Sequence, residues 1–205
     1  VLNEAGLKEK LKSNPVGIYL IYGEESYLKK AYIDKIVAKT VDDTFGDFNF
    51  HTFDGKEATL SDVYESAGAV PMMAETKCVL VKDFPLDALD DNGFEQLETV
   101  LADNPDDCAL VFSFVAHTPK GAKWNKAVKM FEKYGYAVKL DKKTTPELIK
   151  MLESGAKKRG KAFDKGSAAY LITCVGTDLN TLLNETEKVC AYASGETVKK
   201  SDIDA

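Results

Sequence analysis

Ile18-Tyr19-Leu20-Ile21-Tyr22-Gly23-Glu24-Glu25-Ser26-Tyr27-Leu28-Lys29-Lys30 is an apolar run that breaks at a glycine and passes into a helical pattern. This is the strand–turn–helix layout of a nucleotide-binding loop. Such a loop needs G-x-x-x-x-G-K-[ST], because small residues let backbone N–H groups turn toward phosphate and the hydroxyl holds magnesium. Counted from Gly23, the second glycine falls on Leu28, the lysine on Lys29 and the hydroxyl on Lys30. Leucine suits that turn poorly, Lys30 cannot ligate a cation, and Glu24 and Glu25 add negative charge where a triphosphate belongs. The stretch reads as a nucleotide-binding shape without nucleotide chemistry.

Working outward, Leu7 and Leu11 mark a short lead-in helix that Asn14-Pro15 ends before the first strand, Ile18–Tyr22. After Gly23, the positions Leu28, Ala31, Tyr32, Lys35 and Ile36 predict the buried face of a helix. A second strand is expected from Phe48 to Phe53, closed by Asp54-Gly55, and a helix follows through Leu60, Val63, Tyr64 and Ala67. Cys78–Val81 is a continuous apolar run, as a strand covered on both faces requires. Phe94, Leu97, Val100 and Leu101 predict the next helix, Ala109–Phe114 a strand, Trp124–Tyr134 a helix stopped by Gly135, and Tyr136–Leu140 a fifth strand. Five strands joined by helical crossovers predict an α/β domain built on a five-stranded parallel sheet.

Past Asp141 the pattern turns helical. Thr145-Pro146-Glu147-Leu148 carries helix-start signals, and three helices are expected: one to Arg159, one over 164–175 and one from Asp178 to Ala193. Ser201-Asp202-Ile203-Asp204 opens a fourth, and the stop within it suggests a shortened chain. The expected domains are 1–142, α/β, and 143–205, a small helical lid.

The 205 residues are 44% hydrophobic and 29% charged, with a net charge of −6 and a pI of about 5.1. That is globular usage with no global field toward DNA or an anionic membrane. No apolar stretch reaches bilayer length and no leader pattern opens the chain, so a cytoplasmic location is expected. Cys78, Cys108, Cys174 and Cys190 lie far apart, which suits buried reduced thiols. With only His51 and His117 and no C-x-x-C, no metal site is expected.

Between a helix and the third strand lies Val70-Pro71-Met72-Met73-Ala74. Apolar residues on such a turn either fold into the core or stand out as an anchor for a partner's pocket, and the chemistry of the turn alone favours the core. Methionine serves both roles.

Taken with this loop, the motif Tyr19–Leu28, the strand Lys77-Cys78-Val79-Leu80-Val81-Lys82, the helix Leu179–Val189 and the closing Val198–Ile203 resemble the delta subunits of bacterial DNA polymerase III clamp loaders, proteins of AAA+-like fold. The resemblance runs over nearly the whole chain. It implies a protein that binds and opens the ring-shaped beta sliding clamp during replication, has no catalytic residue of its own and needs no cofactor. It also implies gamma/tau and delta-prime type subunits as neighbours, contact with primer–template DNA only through the assembled loader, and no membrane role. The clamp-binding residues it implies are Val70, Pro71, Met72 and Met73; many relatives carry aromatics or leucine there. Such subunits carry a third, collar domain, which is expected to lie outside these residues.

The acidic pair that organises magnesium in an AAA+ ATPase falls, aligned on Val79-Leu80-Val81, on Lys82 and Asp83, so one acid is replaced by a cation. Residues 141–165 hold eight basic side chains against four acids. A solvated helix face is the plainer reading; a DNA-backbone contact through Lys157, Lys158, Arg159 and Lys161 is the sharper one. The alternative function is an ATPase or other nucleotide-binding enzyme, favoured by the layout and Lys29. A hydrolase using Ser26 or a cysteine finds no G-x-S-x-G and no paired histidine.

Overall fold

Five apolar runs form five parallel strands: β1 (Ile18–Tyr22), β2 (Phe50–Asp54), β3 (Lys77–Lys82), β4 (Cys108–Ser113) and β5 (Tyr136–Lys139), in the order β2-β3-β4-β1-β5. The computed structural model describes residues 1–115 and 119–205, so His117 lies outside the described residues. The chain divides into two units, Val1–Asp141 and Lys142–Ala205.

In the first unit the strands alternate with α1 (Glu4–Ser13), α2 (Ser26–Thr40), α3 (Gly46–Asn49), α4 (Leu60–Gly68), α5 (Asp91–Ala102) and α6 (Ala122–Tyr134). Every residue of β1 and β4 is buried, because helices cover both faces of the sheet centre. Leu20, Val79, Val81, Leu110 and Phe112 face a core closed by α4, α5 and α6. Edge-to-face rings lock it, with Phe112–Phe131 centroids 5.2 Å apart and Phe114–Trp124 4.9 Å apart. On the other face α2 packs over β3 and β4, and α1 against β5.

Several details differ from expectation. The second strand begins at Phe50, since Gly46–Asn49 wind into a short helix and leave Phe48 exposed. The buried face of α2 is Leu28, Lys29, Tyr32, Ile33, Ile36 and Thr40, so Ala31 and Lys35 face solvent. That face is turned because Lys29 points inward. Cys78, Cys108 and Cys190 are buried, but Cys174 is exposed. Burial pushes the Cys78 and Cys108 thiols up to about 12.

The second unit packs α7 (Thr145–Lys158), α8 (Ser167–Val175), α9 (Leu179–Tyr192) and α10 (Lys200–Ile203) around Leu148, Leu152, Leu171, Leu179 and Leu182. Helix α7 starts on a capping box in which the Thr144 N–H donates to Glu147 Oε2 at 2.8 Å. Helix α8 begins three residues later than expected, after Gly166 in the left-handed region at φ 87°. Two short strands not read from the sequence, β6 (Ala162–Phe163) and β7 (Thr197–Val198), pair in parallel. Among the described residues no helix is long and apolar enough to cross a membrane.

Candidate functional site

The turn after β1 is sealed by its own unit. Gly23 has φ 117°, and a Cβ there would lie 2.3 Å from the Leu140 carbonyl oxygen, so only glycine fits. The Glu25 N–H, which a phosphate would need, donates to Leu140 O at 2.9 Å, while Leu140 N donates to Tyr22 O at 2.8 Å. Glu25 is itself buried and caps α2, its Oε1 accepting the Tyr27 N–H at 3.3 Å. The helix end that attracts anions in a nucleotide-binding protein therefore already carries a carboxylate.

Lys29 fills the space such a loop would leave open. Its ammonium donates to Gly23 O at 2.8 Å, Phe114 O at 2.7 Å and Val115 O at 3.3 Å, tying the turn to the end of β4. Burial pushes this lysine below its usual range, and the charges of Asp83 and Glu25 oppose that shift. Asp83, at φ 52°, accepts the Val115 N–H at 2.8 Å through Oδ1 and donates its own N–H to Ser113 O at 2.8 Å. Lys82 is exposed and Leu28 buried, while Lys30 pairs with Asp34 at 2.6 Å. Beside this network a cavity of about 710 Å³, lined by Ile33, Phe50, Leu80, Ser113 and the lysines 29, 30 and 82, lies between α2 and the sheet.

The loop between α4 and β3 is exposed. Val70 is 87% accessible, Met72 48% and Met73 76%, with Pro71 partly buried beneath them, so the fold-back into the core does not occur. Met73 sits at φ 50°, in a region that residues with a side chain seldom adopt. The loop's base is fixed by the buried Lys77, whose ammonium donates to Ser66 O at 2.6 Å and to Ala69 O, closing the carbonyl end of α4. Thr76 Oγ1 donates to Thr40 O at 2.7 Å. Sequence reasoning missed Asn49: Met72 N donates to its Oδ1 at 2.7 Å and its Nδ2 donates to Met72 O at 2.9 Å. No local pattern flags an asparagine bonded 23 residues away.

The family described as DNA polymerase III, delta subunit matches residues 19–140, well over half of the chain. The chain belongs to this family. DNA polymerase III subunit delta of Bacillus subtilis strain 168 is 26% identical over 180 residues, covering 85% of this chain and 52% of the relative. The chain thus spans about half the length of the curated relative it matches. Among solved structures, the Bacillus subtilis DNA clamp loader delta protein superposes with a TM-score of 0.75 at 23% identity, over 97% of this chain and 60% of that one. The Thermotoga maritima RuvB Holliday junction branch migration motor superposes with a TM-score of 0.53 at 11% identity, over 98% of this chain and 67% of that one. The delta-family chain therefore has an AAA+-like α/β fold.

The four basic residues singled out in the second unit of this delta-family chain differ in their engagement. Arg159 pairs with Glu187 at 2.8 Å and donates to Gly155 O at 3.2 Å, and Lys161 donates to Ala193 O at 2.8 Å and Gly195 O at 2.5 Å. Lys157 and Lys158 are exposed in the last turn of α7. Among the described residues no cluster of metal-ligating side chains occurs, and His51 is spent on Ser66 Oγ and Phe48 O, each at 2.9 Å.

Proposed function

We propose that this chain is the clamp-engaging part of a clamp-loader delta subunit, which holds and opens the ring-shaped sliding clamp through Val70, Pro71, Met72 and Met73 without hydrolysing ATP. The observation that carries the reading is the exposed, strained methionine tip on a loop braced from beneath by Lys77 and Asn49. Strained backbone persists where surroundings over-determine it, and it clusters at sites of binding. A pair of thioether side chains entering an apolar socket leaves water on binding while its braced backbone loses little further freedom. Gamma/tau and delta-prime type subunits are the expected neighbours, and DNA is met through the assembled loader. Surface plasmon resonance of the chain on immobilised clamp tests the reading, with nanomolar to micromolar binding expected and none refuting it.

The second reading, nucleotide binding, is favoured by the cavity beside Lys29. A ligand present at about 100 times its Kd stabilises by about 2.7 kcal/mol, which for a chain of this size raises Tm by roughly 5–10 °C. Thermal melts with millimolar ATP and magnesium are expected to move Tm by less than about 1 °C, because the turn's donors and the lysine are already engaged. A shift of several degrees would restore the nucleotide reading.

A DNA-backbone contact, if this unit makes one, falls to Lys157 and Lys158, since Arg159 and Lys161 have internal partners. Each phosphate neutralised adds about 0.9 to the slope of log affinity against log salt on duplex DNA. Changing both lysines to glutamate is expected to reduce that slope by about 2 in fluorescence anisotropy; an unchanged slope rules the contact out.

A further inference from the structure

The α4–β3 loop is held by a segment far from it in sequence. Asn49, at the end of α3, is wholly buried. Its carboxamide spends its oxygen on the Met72 N–H and a hydrogen on the Met72 carbonyl, while Nδ2 also donates to Phe45 O at 3.2 Å. An amide that bonds both sides of one residue's backbone fixes the peptide planes on either side of its Cα. Here that residue directly precedes the left-handed Met73. A second tie runs through His51, which bonds Ser66 Oγ on α4 with one ring nitrogen and Phe48 O with the other.

Phe48 is the neighbour of Asn49 in the chain and is 59% exposed. A large aromatic on a four-residue helix contributes little to the stability of that helix from such a position, and water is its present neighbour. Exposed acids lie on these two segments and on the helix that joins them: Asp47 on α3, Glu75 after the tip and Glu65 on α4. None of the three has an ion pair among the described residues.

We infer that Phe48 and the Val70–Met73 tip form one composite docking surface, preset by Asn49 as its positioning residue. The inference rests on the clamp-engaging reading above and extends it. The partner's socket takes an aromatic ring beside two thioethers and carries basic groups at its rim. Cross-linking two exposed apolar segments before the encounter removes an ordering cost from binding, which is why a buried amide serves here better than a flexible loop. An apolar patch spread over two such segments also matches the pattern of a few anchors inside a tolerant rim.

The test uses the full 205-residue chain and immobilised sliding clamp, with Phe48→Ala, Asn49→Ala, Asn49→Ser, Met73→Ala and the pair Asn49→Ala with Met73→Ala. Expected are about a 10-fold loss for Phe48→Ala and about a 10-fold loss for Asn49→Ala, the latter shrinking to less than about 3-fold when Met73 is already alanine. That shrinkage is the readout a merely structural role would not produce. Should Asn49→Ala fail to melt cooperatively, Asn49→Ser, which buries no charge and keeps a hydroxyl for one bond, carries the same comparison. Binding of Met73→Ala at parental affinity sinks the clamp-engaging reading itself. If Met73→Ala weakens binding while the Phe48 and Asn49 variants bind like the parent, only the composite surface is overturned; equal Asn49 losses on both backgrounds overturn its positioning role.

Discussion

If the proposed clamp engagement holds, replacing Met72 and Met73 together with alanine is expected to lower the affinity of this chain for the sliding clamp by about 100-fold or more and to leave its Tm within about 2 °C of the parent. Fully burying a methionine side chain is worth about 1.5–3 kcal/mol, and each 1.4 kcal/mol is tenfold in Kd. Truncating two anchors at the centre of an interface therefore removes roughly two to four orders of magnitude. Stability is spared because both side chains are exposed, and surface substitutions of this kind stay within about 0.5 kcal/mol. Surface plasmon resonance paired with thermal melts reads both quantities. A folded double mutant that still binds would reject the loop as the clamp-binding element.

Lys29→Met behaves in the opposite way: the chain loses about 3 kcal/mol of stability, a Tm drop of roughly 6–12 °C, while the folded fraction binds clamp like the parent. The methylene stem is matched by methionine, but the carbonyls of Gly23, Phe114 and Val115 lose their shared donor. Each lost hydrogen bond to a charged donor costs about 1.5–3 kcal/mol, and water entering from the adjacent cavity offsets part of it. Asp83 and Glu25 also lose the positive charge they face. In a working ATPase the same lysine serves the phosphates and its loss is read chiefly in catalysis. Equal melting of parent and variant would mean that Lys29 is not a structural staple.

The sheet was legible in the sequence because its central strands are covered on both sides and so read as unbroken apolar runs, each bounded by glycine, proline or an acid. The errors have physical causes. Phe48, Phe50 and Thr52 alternate as a strand does, yet the segment up to Asn49 coils to bring that asparagine under Met72. The spacing placed Ala31 and Lys35 on the buried face of α2, where instead Lys29 turns inward to three carbonyls and Ile33 and Thr40 complete the face. Two-residue strands such as β6 and β7 carry too few positions to show any period. The turn chemistry of Val70–Met73 pointed to the core, and only the family resemblance implied an outward tip. The broken glycine motif and Lys82 were plain from residue types alone, whereas the bonds that give Glu25, Lys29 and Asp83 new duties depend on residues as far apart in the chain as Glu25 and Leu140.

The strand order also governs the birth of the molecule. The two hydrogen-bonding neighbours of β1 are β4, which ends at Ser113, and β5, which ends at Lys139. At about 5–20 residues per second, this buried apolar strand waits roughly 5–20 s during synthesis before its first neighbour exists. Non-local parallel pairing is slow for the same reason. Tyr19, Leu20 and Ile21, all fully shielded at the end, have no strand to pair with for the whole of that interval.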